Sequence, residues 1–180
     1  MITTYTKAQL MAQWRLRRGL EPMRGDLTVE LDGVDTGALD EAELNDWWAD
    51  MTANAPADMF EPKDLALRCT TKDVAGGGTD VELPASAGCR RVLAVRLSGW
   101  TRDGTIVAPD SREADLQRWE YTQAGPESPV AVMYSPRHVR CFPAGEDVES
   151  FRAITEGDGE VFTMDSSLLA TMGEWRDEPE

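Results

Sequence analysis

Apolar and polar positions divide the chain into a helical first third and a strand-rich remainder. Within residues 90–97, Leu93, Val95 and Leu97 alternate with Ala94 and Arg96. A period of two gives an extended strand one apolar and one charged face. Residues 130–134 and 139–142 are two further β-rich runs, separated by Ser135, Pro136, Arg137 and His138. The Ser-Pro pair starts a turn and Pro143 stops the returning strand, so a hairpin is predicted. Residues 80–84 and 105–107 read as short strands. Residues 148–154 alternate, and the turn Gly157-Asp158-Gly159 is expected to bring residues 160–163 back beside them.

The helical period appears earlier. In residues 6–20, Leu10, Trp14 and Arg17 share a face, with Met11 beside them; Thr6 is placed to cap this helix and Gly19 to end it. Residues 40–53 give the second helix. Leu44, Trp47, Trp48 and Met51 follow the i, i+3, i+4, i+7 rule, and Asp40 with Glu43 reads as a capping box. Pro56 ends it. The two adjacent tryptophans are either core or subunit interface, since both bury large aromatic area.

Several stretches are less regular. Residues 27–31 alternate ahead of Asp32-Gly33, a strand-then-turn signal. Gly76-Gly77-Gly78 has no lysine or serine in phosphate-binding spacing and reads as a mobile loop or hairpin tip. Residues 111–121 begin with a serine cap and hold Leu116, Trp119 and Glu120 at helical spacing, but the segment is short. Asp165 or Ser166 can cap a last helical turn through Leu168, Leu169 and Met172, and residues 177–180 are expected to fray. The predicted fold class is α+β, with N-terminal helices packed on a mostly antiparallel β-sheet. A length of 180 residues fits one domain. Within it, residues 1–60 read as helical, residues 61–165 as β-rich and residues 166–180 as a short acidic C-terminal tail.

Charge changes this picture. The net charge is -15 and it is uneven: residues 1–24 carry +4, 25–82 carry -12, 83–145 carry +2 and 146–180 carry -9. So acidic a chain is poorly suited to wrapping a phosphate backbone, but it suits a passage along which nucleic acid slides without sticking. An ordinary soluble acidic surface, which is common, is the simpler reading. No apolar run approaches the roughly 20 residues of a membrane span, and the first residues lack the order of a signal peptide. A soluble protein of a reducing compartment is therefore expected.

Candidate chemistry adds little. Cys69, Cys89 and Cys141 have no metal-ligand spacing and read as small buried hydrophobes. The lone His138 cannot make a two-histidine zinc site. Neither Gly-x-Ser-x-Gly nor a strand-borne Gly-x-Gly-x-x-Gly occurs. No catalytic, cofactor-binding or metal-ligating residue is assigned, and the expectation is a protein that is not an enzyme.

One set of segments resembles a known family. Leu83-Pro84, the strand 90–97 running into Ser98-Gly99-Trp100, then residues 125–132 and 139–144, are similar to the strand region of head-to-tail connector (adaptor) proteins of tailed bacteriophages. The helix 40–53 stands upstream, where such proteins have one. The resemblance covers roughly residues 40–145. It implies a structural virion protein of the neck, assembled in the host cytoplasm. About twelve copies would form a ring below the portal, with a heterologous contact between neighbours. The implied partners are further copies of the chain, the portal protein and a tail or stopper protein. Double-stranded DNA would pass through without specific binding, and no membrane is involved. The protein–protein interface is expected at Arg15, Arg17 and Arg18, where cations could meet an acidic partner, and at Trp47 and Trp48. The three arginines read equally as the wet face of an ordinary helix. Alternatives are another virion component (tail-completion, tail-terminator or decoration protein) or an acidic module that binds host proteins.

Overall fold

The computed structural model describes residues 1–19 and 36–175. The strand read at 27–31, its Asp32-Gly33 turn and the tail 177–180 lie outside the described residues. The elements in order are β1 (Ile2–Thr6), α1 (Lys7–Arg17), α2 (Thr36–Asn54), β2 (Lys63–Asp64), β3 (Thr70–Asp73), β4 (Thr79–Glu82), β5 (Cys89–Leu97), β6 (Thr105–Val107), α3 (Arg112–Leu116), β7 (Val130–Ser135), β8 (His138–Phe142), β9 (Val148–Thr155), β10 (Val161–Asp165) and α4 (Thr171–Glu174). The fold class is α+β. The chain forms two compact units: residues 1–61 with 156–180, and residues 62–155. β10 and the described residues after it fall in the same unit as α1 and α2.

In the first unit, α1 starts where Thr6 caps it. The Thr6 hydroxyl accepts from the Gln9 amide, and the Gln9 side chain accepts from the Thr6 amide, which is a complete capping box. Gly19 follows the helix with φ +68°, the left-handed position that ends many helices. The second helix begins a turn earlier than expected, at Thr36. Ala38 and Leu39 are strong helix formers, and extending a helix already nucleated adds a hydrogen bond per residue. Asp40 is thus an interior helical residue rather than a cap. Leu44, Trp47 and Trp48 are buried, as their spacing requires.

Residues 160–163 do not return beside residues 148–154. Residues 161–163 belong to β10, which pairs antiparallel with β1, Thr4 opposite Thr163 and Ile2 opposite Asp165. Residues 2–6 are β-branched and aromatic, which suits a strand, but nothing in their local pattern names a partner more than 150 residues away. In addition, β9 is already flanked by β2 and β5. Phe162 and Met164 on β10 are buried. Asp165 caps the tight turn Ser166–Ala170, accepting from the Ser167 amide, as expected. The helices of this unit therefore pack with a two-stranded sheet of their own.

The second unit holds two sheets, ordered β2-β9-β5 and β3-β4-β8-β7-β6. All pairings are antiparallel except β6 with β7. Val81, Val139, Cys141 and Ala131 from the five-stranded sheet and Val92, Val95, Leu97, Phe151 and Ala153 from the other make one core. The edges of the two sheets are also tied: the Gly104 amide, just before β6, donates to the Val95 carbonyl of β5 at 2.8 Å. β5 does not keep strict alternation. Register shifts between Cys89 and Arg91, Val92 and Ala94, and Arg96 and Leu97 rotate its side chains. Val92, Ala94, Val95 and Leu97 end up buried, whereas Leu93, expected on the apolar face, is half-exposed. The hairpin β7–β8 forms as predicted, and β8 ends at Phe142, immediately before Pro143. The glycine run is the tip of hairpin β3–β4.

Candidate interaction surfaces

The first unit takes up most of the side chains expected at an interface. Trp47 is fully buried; its N–H donates to the Thr171 hydroxyl at 3.0 Å. Trp48 is 7 % exposed, donates to the Glu156 carbonyl at 2.9 Å, and meets Phe162 edge-on with ring centroids 5.2 Å apart. Phe60 and Trp14 extend this aromatic cluster. The area of both tryptophans is used inside the unit, which is the core alternative rather than the interface one.

The three arginines diverge. Arg15 Nε donates to Asp40 Oδ2 at 2.9 Å, so the expected cap residue instead holds α1 to α2. Lys7 makes a second such pair with Glu41. Arg18 lies over the Trp14 ring at 5.4 Å and donates to the Trp175 carbonyl at 2.7 Å. Arg17 is exposed and has no partner among the described residues. A docking role of the arginines therefore rests on Arg17 alone, unless a neighbour displaces the internal bonds of the other two.

The second unit presents two features to which the sequence pattern assigns no role. The first is an ion-pair cluster on the outward face of the five-stranded sheet. Asp80 and Arg140 are directly opposite across β4 and β8. Arg140 makes a two-pronged bond to Asp80, Nε to Oδ1 at 2.7 Å and Nη2 to Oδ2 at 3.0 Å. His138 Nε2 stands 3.4 Å from the same carboxylate. The Arg140 hydrogen bonds hold the Asp80 carboxyl below the usual carboxylate range, against the opposing effect of partial burial. Tyr134 stacks on the His138 ring and lies beneath the Arg140 guanidinium. Beside this cluster is a cleft of about 250 Å³, floored by Val132, Tyr134, Arg140 and Phe142.

The second feature is apolar. α3 and the turn after it cover part of the same sheet face, with Ala114 packed on Val132 and Phe142. Ser111 starts α3 by accepting from the Ala114 amide, as its position predicts. The outer side of this segment exposes Leu116, Trp119 (69 % exposed) and Tyr121 (98 % exposed). Aromatic side chains on the surface are characteristic of protein–protein contacts. Helical spacing gives no sign of it, because the helix stops at Leu116 and Trp119 and Tyr121 lie beyond its end.

The cysteines are interior or half-buried. Burial pushes Cys141 and Cys69 up to about 12, and Cys89 to about 11. Thiols held protonated in this way are poor nucleophiles and poor metal ligands. No helix among the described residues is long and apolar enough to cross a membrane. No family model, curated protein or solved structure matches the chain.

Proposed function

We propose that this chain is a structural virion protein, a head-to-tail connector (adaptor) subunit that forms a ring below the portal of a tailed bacteriophage. The observation that carries the reading is the exposed row Leu116, Trp119 and Tyr121 on a well-packed scaffold. Large aromatic side chains are enriched where one protein meets another. A ring of identical subunits supplies such a partner at every contact. The resemblance over roughly residues 40–145 gives the kind of ring. Charge supports it as well. Residues 62–155 hold twelve basic and thirteen acidic side chains, whereas the rest of the chain holds six and twenty. Nearly all the net charge thus sits in one unit, leaving the other electrically balanced for close contact between copies. An acidic unit toward a channel would repel DNA and let it pass. The test is co-assembly: the purified chain is mixed with a phage portal protein from the same genome and the complex is imaged. Rings of this chain on the portal support the reading. A chain that remains apart from the portal, with its aromatic row still exposed, removes it.

A further inference from the structure

One wall of the cleft on the five-stranded sheet differs from the rest. It is the tip of hairpin β3–β4, residues 74–77. Gly76, Gly77 and Gly78 have φ of +96°, +100° and +88°, a region that glycine alone enters freely. Behind the tip the chain is fixed. Thr79 is fully buried, and its hydroxyl donates to the Gly145 carbonyl and accepts from the Gly145 amide, each at 3.2 Å. Gly78 sits so close to the floor that a Cβ there would stand 2.8 Å from the Phe142 ring. Ala75, Gly76 and Gly77, by contrast, are exposed.

Among the described residues, the bond that ties this tip across the cleft is Gln123 Nε2 to the Gly76 carbonyl, at 2.7 Å. Its base is firm. Gln123 also donates to the Gln117 carbonyl at 3.0 Å, and Gln117 is only 5 % exposed, donating to Glu113 and accepting from the Ala124 amide. Gly77 packs on the same amide group: a Cβ there would stand 2.7 Å from Gln123 Oε1.

We infer that residues 74–77 are a glycine-hinged flap over the cleft, with Gln123 as its latch. Gly76 and Gly77 supply the dihedral freedom and Gly78, packed on Phe142, is the fulcrum. Release of the latch uncovers the apolar floor around Val132 and Phe142. This device does not depend on the ring reading.

Hydrogen–deuterium exchange on the full chain tests it, with Gln123→Ala and Gln123→Glu. The glutamate removes the donor and sets a carboxylate against two carbonyls. The Val74 and Gly77 amides, bonded to Gly78 and Val74 carbonyls in the closed tip, report opening. Loss of one neutral hydrogen bond predicts about fivefold faster exchange in peptides covering the tip, with β7 and β8 unchanged. Unchanged exchange at the tip overturns the latch. Equally faster exchange through β7 and β8 also overturns it, since Gln123 would then only support the sheet. Gly77→Ala gives a second reading. Its Cβ clash with Gln123 must vanish in the Gln123→Ala background, so strictly additive effects in the double variant contradict the latch.

Discussion

Trp48 and Trp119 make opposite predictions, and the pair tests where the chain keeps its interior and where it meets other molecules. Trp48 is 7 % exposed, touches Phe60 and Phe162 edge-on, and satisfies the Glu156 carbonyl. Trp48→Ala removes the buried indole and its bond to that carbonyl, and leaves a cavity. Large-to-small changes of this kind cost about 3–5 kcal/mol. Against a total stability of roughly 5–15 kcal/mol, this is a large fraction. Trp48→Phe keeps most of the volume but loses the N–H, and should cost about 1–2 kcal/mol. Trp119 is 69 % exposed, so Trp119→Ala should change stability by no more than about 0.5 kcal/mol. Its effect should fall on association instead. The assay is urea unfolding followed by far-ultraviolet circular dichroism for each variant, with sedimentation of the same samples. A cost below about 1 kcal/mol for Trp48→Ala would refute its place in the core. Normal self-association of Trp119→Ala combined with Tyr121→Ala would refute the aromatic row as a contact.

Other consequences are equally concrete. Asp64 and Asp80 are both held below their ordinary values, Asp64 chiefly by the Phe151 amide and Asp80 chiefly by Arg140. Their stabilisation is present above the unfolded carboxylate range and is lost as pH falls through the folded values, so urea midpoints should drop in acid, and less steeply for Asp80→Asn. The three raised thiols act at the other end: the unfolded chain loses protons above about pH 8.5 while the folded chain keeps them, so stability should fall with rising pH, and Ellman's reagent should reach the buried Cys89 and Cys141 only as fast as the protein opens. Gly78→Ala combines φ +88° with a collision against Phe142 and the Cys141 carbonyl, and should destabilise by about 1–3 kcal/mol in thermal melts; a neutral result would show that the tip can shift away. Arg17→Glu should weaken portal binding at low salt more than Arg15→Glu does, if binding is corrected for the stability that Arg15 contributes through Asp40; equal effects would remove Arg17 as the docking cation.

Legibility follows locality. Thr6, Ser111 and Asp165 act within three residues of themselves and cap where the sequence offers them, Asp165 rather than Ser166, although the equally local Asp40–Glu43 pair lies inside its helix. The β7–β8 hairpin likewise needs only its own turn. Long-range choices are hidden. β10 prefers β1 across more than 150 residues, and no turn signal near Gly157 can announce a partner at the start of the chain. Bulges in β5 move Leu93 off the core face, since a slip of one residue inverts every side chain after it. The ion pair of Asp80 with Arg140 depends on the register of β4 against β8, which the strands' own patterns leave open. Trp47 and Trp48 have a spacing that suits either a core or an interface. Only packing decides between them, Trp48 against Phe60 and Phe162 and Trp47 against Trp14.

The mass of the protein in solution, alone and with a portal protein, separates a ring subunit from a solitary chain. A ring subunit gives a species many times the 19.9 kDa of one chain, either free or on the portal ring, which breaks down when Trp119 and Tyr121 are both replaced by alanine. A 19.9 kDa monomer at every concentration and salt, indifferent to the portal and unaltered by those replacements, would contradict the connector reading.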